Sequence, residues 1–258
     1  MAFIHMVGAE WLKRKRSLMT WLVIGSAAFV PTVVFASRVF RSSALTTMHA
    51  DPAFWQVLWR QTGEAMAVMI LPFAAMLMVS LITQIEDRAN GWKQLHAAPV
   101  SMWTIFVSKF VVICALIAAT LLLFTGAVWL VGVLPPVFVS ALSRPVAPFP
   151  WSALLWRDAV WFVDTLPIIA VQYALALRFR TFVAPMAIGL ALWITSIGMM
   201  SWHYAWVLPY SALPLDYLNV EYGRAIFAPL PISAIAMITF AVSLAGGGAA
   251  FGLRKDRG

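Results

Sequence analysis

The sequence has little charge. Only 11% of its 258 residues are Asp, Glu, Lys or Arg, against about a quarter in soluble domains. A soluble core of this size would need a charged surface around it, so water is not the main solvent of this chain. Cysteine is also scarce: Cys114 stands alone inside an apolar run, which excludes an intrachain disulfide.

Motifs of enzymatic chemistry are missing as well. The sequence has no GxxxxGK[ST] phosphate loop, no HExxH and no Gly-x-Ser-x-Gly elbow. Its histidines are scattered and form no metal-ligand cluster: they are His5, His49, His96 and His203. Asp164 is the single carboxylate inside an apolar run, whereas an aspartyl membrane protease needs two. We therefore predict a chain that is not an enzyme and holds no cofactor or metal of its own.

Long apolar runs dominate what is present, since 62% of the residues are hydrophobic. A bilayer core about 30 Å thick requires roughly 20 apolar residues, and lipid forces each such run to be helical. We predict an all-α membrane protein, one domain over 1–258, with six transmembrane helices at 18–36, 65–85, 105–134, 160–177, 182–200 and 232–253. The first run has no convincing cleavage site after it, so it is expected to be retained.

Proline bears on several of these runs. Pro31, Pro72 and Pro185 are compatible with their spans, because neighbouring helices can bond the carbonyls that proline frees. The run 160–177 is the weakest of the six, since Asp164 and Pro167 interrupt it.

The basic residues predict the orientation. Eighteen Lys and Arg stand against ten acidic residues, and their short clusters between apolar runs indicate membrane orientation, not nucleic-acid binding. Placing both termini in the cytoplasm puts twelve of the eighteen inside, including the turn 178–180 and the tail 254–257. The outer loops 37–64, 135–159 and 201–231 are then rich in aromatic residues, typical of an interfacial belt: Trp151, Trp156, Trp161, Trp202, Tyr204, Trp206 and Tyr210.

Two cytoplasmic segments have the character of docking elements. Between the second and third runs, two acidic residues precede an apolar stripe at helical spacing, and proline ends the segment. Its candidate contact residues are Glu86, Asp87, Gly91, Trp92, Lys93, Leu95 and Pro99. The N-terminal stretch is basic and amphipathic, typical of an interfacial helix, with Glu10, Trp11, Lys13 and Arg14 as its candidate residues. The first segment fits a soluble partner and equally fits an amphipathic loop that rests on lipid headgroups. The basic run of the N-terminal stretch is expected to anchor the first span on the inside, with contact to a soluble partner as the alternative.

Polar residues inside the spans are few. Asp164 is expected to be an interfacial or paired carboxylate, near Arg157 and Asp158, or else to line a substrate path. Gln172, two turns further along, is expected to join helices or to share that path. The other spans are nearly free of ionisable groups, so we expect any transport to draw its energy from another subunit. The Gly248–Gly252 spacing is a weak indication of close helix packing.

The run Glu86-x4-Gly91-Trp92-Lys93-x-Leu95-x3-Pro99 resembles the coupling segment of ABC-2-type exporter permeases. The approach to the first span, from Glu10 to Ser17, and the passage 172–189 are similar too. Within that family the chain is most similar to the lantibiotic-immunity and bacitracin-type branch, which is associated with antibiotic resistance. Its long, proline-rich connection at 135–150 departs from the pattern.

The resemblance implies a permease subunit in the bacterial inner membrane. Two such chains, identical or related, would dock on two copies of an ABC ATPase that holds ATP and magnesium. The coupling helix would be 86–98, the interfacial helix about 3–16, and 201–231 an extracellular cap containing Tyr204, Tyr210, Tyr217 and Tyr222. The substrate would be amphipathic: a peptide antibiotic, a drug or a lipid-like molecule. The alternative is a membrane anchor or sensor subunit that recruits a cytosolic partner without moving a substrate.

Overall fold

The computed structural model describes residues 2–13, 18–40, 49–88, 102–139, 144–179, 181–223 and 228–252, and for 2–5, 13, 85–88, 102 and 248–252 it describes the backbone alone. Every regular element in these ranges is helical, as predicted. The helices are α1 (Ala2–Lys13), α2 (Met19–Phe40), α3 (Phe54–Ala65), α4 (Leu71–Arg88), α5 (Met102–Val133), α6 (Pro135–Phe138), α7 (Trp151–Arg178), α8 (Val183–Gly198), α9 (Ala212–Tyr222) and α10 (Ile232–Gly252).

Four of the described helices are long and apolar enough to cross a membrane: Met19–Phe40, Phe54–Gln84, Trp103–Phe138 and Trp151–Arg178. The fifth and sixth predicted spans coincide with α8 and α10, of which the stretches Val183–Gly198 and Ile232–Gly247 are apolar but shorter than that standard. The chain is therefore a multi-pass helical protein, while the count of six spans and the orientation stay predictions.

The fourth predicted run lies inside one uninterrupted helix. α7 begins at Trp151, nine residues before the predicted start, and continues through Pro167 to Arg178. This helix packs against α4, α5 and α10, so it forms the centre of the bundle. Dense packing on several sides explains why one proline does not break it.

A π-helical turn, Met66–Ile70, joins α3 to α4. Pro72 follows it and has no N–H to donate to the carbonyl of Val68, four residues earlier. The indole Nε1 of Trp193 in α8 donates to that carbonyl at 3.0 Å. The expectation that a neighbouring helix bonds the carbonyl freed by proline is confirmed at this position.

The proline-rich connection 144–150 turns back onto α3. The indole Nε1 of Trp55 donates to the carbonyl of Ala147 at 2.7 Å, and the Trp55 ring meets Phe149 edge-on with centroids 4.7 Å apart. This segment is thus a packed wall over the start of α3.

The expected aromatic belt is only partly present. Trp151, Trp156, Trp202 and Tyr204 are exposed, but Trp161 and Tyr210 are 0% exposed. Trp161 lies in the core, with its ring centroid 5.0 Å from that of Trp59. The interfacial prediction is wrong for these two residues, because other helices of the same chain cover them.

Candidate functional site

The N-terminal helix α1 is fixed to the first turns of α5 by a buried ion pair. The Lys109 ammonium donates to Glu10 Oε2 at 2.6 Å, and the two side chains are only 1% and 4% exposed. Val7 and Trp11 pack against the core beside it. Because residues 7, 10 and 11 share one face of a helix, α1 presents an apolar face that carries one acid in its middle.

The same end of α5 is also bound to α7. The Tyr173 hydroxyl donates to the carbonyl of Phe106 at 3.0 Å, and the two rings lie 4.9 Å apart. Phe110, one turn further, stacks on Phe240 of α10 at 5.5 Å. A displacement of the start of α5 would therefore act on α1, α7 and α10 together.

The predicted coupling residues lie directly before this point. Glu86 and Asp87 belong to the last turn of the α4 backbone, whereas Gly91, Trp92, Lys93, Leu95 and Pro99 fall outside the described residues. In the N-terminal helix, Glu10 and Trp11 are described fully, Lys13 only by its backbone, and Arg14 lies outside. The structure thus brings Glu10 and Trp11 to the helix that follows the predicted coupling segment.

Gln172 is the centre of a buried hydrogen-bond network. Its Nε2 donates to Ser80 Oγ of α4 and to the carbonyl of Pro185 in α8, both at 3.1 Å. Its Oε1 accepts from the hydroxyl of Tyr210 at 3.0 Å. Gly189 leaves room for this amide, because a Cβ there would overlap Gln172 Oε1. The predicted helix-joining contacts are present, and a place in a substrate path stays a prediction.

Asp164 does not lie where the sequence suggested. It is 0% exposed, and Arg157 pairs with Glu221 while Asp158 accepts from Thr125. Among the described residues, no group meets hydrogen-bond geometry with either Asp164 carboxylate oxygen, although Ser233 and Asp216 are near enough to act on it. Burial inside the bundle contradicts the interfacial placement of Asp164, and its role in a substrate path stays a prediction.

Helix α9 enters the bundle and does not lie over it as a cap. It packs on α7, α10 and the π turn, and its Tyr217 hydroxyl donates to the carbonyl of Arg60 at 3.0 Å. Tyr210 and Tyr217 are buried, whereas Tyr204 and Tyr222 are half exposed. The predicted extracellular cap is thus only partly a surface element.

Sequence reasoning missed Asp216 of α9 and took the neighbouring Tyr217 for a residue of the extracellular cap. Burial raises the pKa of Asp216, an effect that Arg157 opposes, and burial likewise raises the pKa of Tyr217. The helix did leave local signals: Ser211 at its N-cap, Pro214 in its first turn and Gly223 after its end at φ 61°. These are the start and stop residues of a helix.

Comparison of the sequence with known protein families identifies the family of this chain. The model of the ABC-2 family transporter proteins matches residues 6–196, well over half of the chain, and the chain therefore belongs to that family. No curated protein and no solved structure matches it. Members of this family are membrane permease subunits of ABC transporters that pair with an ABC ATPase and are not themselves catalytic.

Proposed function

We propose that this chain, as a single transmembrane domain over 1–258, is the permease of an ATP-driven exporter in the bacterial inner membrane. Its substrate is an amphipathic molecule such as a peptide antibiotic, a drug or a lipid-like compound, as in the lantibiotic-immunity and bacitracin-type branch. Two copies, or one copy and a related permease, dock on two ATPase subunits that hold ATP and magnesium. Family membership and the apolar spans support this proposal.

The observation that carries the mechanism is the Glu10–Lys109 ion pair. It fixes α1 to the helix that follows 86–98, the segment on which we propose the ATPase pushes. Because Tyr173 binds the same turn of α5 to the central helix α7, a push at 86–98 has a direct route into the bundle. Movement of α7 against its neighbours would then open the path for substrate between permease subunits.

The experiment is reconstitution of the chain with an ABC ATPase that co-purifies with it, followed by measurement of ATP hydrolysis with and without an amphipathic substrate. We expect Glu86→Ala and Trp92→Ala to abolish substrate stimulation while leaving membrane insertion intact. The matched control is Trp202→Ala, which removes an exposed indole far along the chain from the coupling segment. Full stimulation in both coupling variants would contradict the coupling assignment.

Substrate movement separates this proposal from the anchor reading. The permease must carry a fluorescent amphipathic peptide across vesicles in an ATP-dependent manner. An ATPase that binds the wild-type chain while no substrate moves would favour an anchor or sensor subunit.

Orientation is tested by labelling single cysteines in a Cys114→Ser background with a membrane-impermeant maleimide. Cysteines at Gln94 and Trp202 are expected to react from opposite sides. Trp202 is a better reporter than Tyr210, because Tyr210 is fully buried. Reaction from the same side would remove an odd number of spans.

A further inference from the structure

A cleft of about 510 Å³ opens between α3, the proline-rich connection, the first turns of α7 and the end of α9. Three indoles and three charged side chains line it: Trp55, Trp59, Trp156, Arg60, Arg157 and Glu221. Its volume falls in the range that holds a small organic ligand. It lies at the N-terminal end of α7, whereas Arg178 is at the C-terminal end. The predicted orientation places the N-terminal end, and therefore the cleft, at the outer membrane surface.

The apolar wall of the cleft has one indole that is held in place by its neighbours and one that is exposed. Trp55 is 5% exposed and is held by Ala147 and Phe149. Trp156 is 70% exposed and Leu154 is buried beside it. An apolar chain or ring entering here would contact a fixed indole and cover an exposed one, which favours binding by burial of apolar surface.

The charged wall has more guanidinium than carboxylate. Glu221 pairs with Arg157 and lies 3.8 Å from Arg60 Nε, and an Arg60 nitrogen also donates to the backbone carbonyl of Glu221 at 3.1 Å. Among the described lining residues, two guanidinium groups thus face one carboxylate. Each guanidinium has five N–H donors, so donors remain for a second anion.

Two more carboxyl groups stand behind this wall without lining it. Asp216 is subject to the charge of Arg157, and Glu64 accepts from the Tyr222 hydroxyl at 2.8 Å. Neither of them lines the cleft, so a ligand there would meet the guanidinium groups of Arg60 and Arg157 first. The lining itself carries one surplus positive charge.

We propose that this cleft binds an amphiphile with an anionic headgroup, such as a phosphate monoester or an acidic phospholipid. The headgroup would accept from Arg60 and Arg157, and the apolar chain would lie against Trp55 and Trp156. The inference goes beyond the proposed function, because occupancy of the cleft requires neither the ATPase nor transport.

The test is protection of a single cysteine from maleimide. Gln56 lines the cleft and is exposed, so Gln56→Cys in a Cys114→Ser background reports occupancy of the purified chain in an uncharged detergent. Three probes carry the same dodecyl chain on different headgroups: dodecyl phosphate is anionic, dodecylphosphocholine is zwitterionic and dodecyltrimethylammonium is cationic. The fourth probe, inorganic phosphate, is the anion without the chain. We expect dodecyl phosphate to protect at a concentration about tenfold lower than the other three, as one added charged hydrogen bond predicts.

Two substitutions with opposite expected effects on binding separate a charge effect from damage to the fold. Arg60→Gln should raise the half-protecting concentration of dodecyl phosphate about tenfold, and Glu221→Gln should lower it by a similar factor, since it frees both guanidinium groups. Damage to the fold would weaken binding in both. Arg144→Gln, an exposed arginine outside the cleft, is the matched control and should change nothing.

Three results would overturn the proposal. Equal protection by the cationic or zwitterionic amphiphile would show that charge does not select the ligand. Equal protection by inorganic phosphate would show a soluble-anion site without an amphiphile. Weaker binding after Glu221→Gln, in a variant that keeps the parent melting temperature, would show that the carboxylate, not the arginine pair, makes the site.

Discussion

Lys109→Met is the substitution that tests the attachment of α1 most directly. It leaves Glu10, which is about 95% buried, without the ammonium that now lies 2.6 Å from its Oε2. At an effective dielectric constant of about 20, two charges 2.6 Å apart attract by about 6 kcal/mol. Desolvation offsets much of this, but removing one partner of such a pair still costs about 3 to 5 kcal/mol.

The double variant Glu10→Gln with Lys109→Met removes both charges and should recover at least half of that loss, because neither charge of the pair then stays buried without the other. The assay is reaction of Val7→Cys with maleimide in a Cys114→Ser background, since Val7 lies on the face of α1 that packs against the core. We expect rapid labelling in the single variant and slow labelling in the double variant.

Two labelling results would refute the claim that the ion pair attaches α1. If the double variant labels as fast as Lys109→Met, or if the single variant labels as slowly as the parent, the pair does not hold α1 on α5. A Gly8→Cys reporter on the exposed face of α1 should react quickly in every background and controls for reagent access.

Three further predictions concern the interior. Trp193→Phe should destabilise the chain by about 1 to 2 kcal/mol, because it removes the indole donor from the partly buried carbonyl of Val68. Pro72→Ala should remove that cost, because alanine restores the backbone N–H. Gly189→Ala should lower the melting temperature by several degrees by displacing the buried amide, whereas Gly126→Ala, with open space around it, should be neutral or stabilising. Asp216→Asn should stabilise the chain at pH 7 to 8 but not near pH 4.

The sign of the last effect follows from linkage. Burial raises the pKa of Asp216, so the folded chain holds this proton at a higher pH than the unfolded chain does, and stability falls as pH rises between the two pKa values. Thermal unfolding at both pH values measures it. A stabilisation that is equal at the two pH values would contradict this account.

The predictions for Trp193 and Gly189 have their own controls and contradicting results. Trp202→Phe alters an exposed indole and should leave the melting temperature unchanged. An undiminished cost of Trp193→Phe beside Pro72→Ala would mean that the indole acts by packing and not by its hydrogen bond. A fully stable Gly189→Ala would show that the amide network can move aside.

The sequence predicted the helices well because each depends on a local property, the length of an apolar run. It underestimated α7, since Asp164 and Pro167 look disruptive until the packing around them is known. It could name Glu10 as a candidate residue, but it could not pair it with Lys109, because the pair joins positions 99 residues apart.

Helix α9 shows a different limit. Its apolar residues are spread around the helix and do not form one stripe, so the segment 201–231 read as an interfacial loop with tyrosines. Only the tertiary contacts of Tyr210 and Tyr217 distinguish burial in the bundle from anchoring at its surface. The same limit applies to Trp161, whose neighbours come from three other elements.

The hydrogen bond from Trp193 to the Val68 carbonyl also sets an order of events during synthesis. Its donor follows its acceptor by 125 residues, which a ribosome takes about 6 to 25 seconds to add. For that interval the carbonyl beside Pro72 sits in a newly inserted helix without its final donor. Water or the insertion machinery must solvate it until α8 arrives, so the second apolar helix completes its structure only when the fifth has been made.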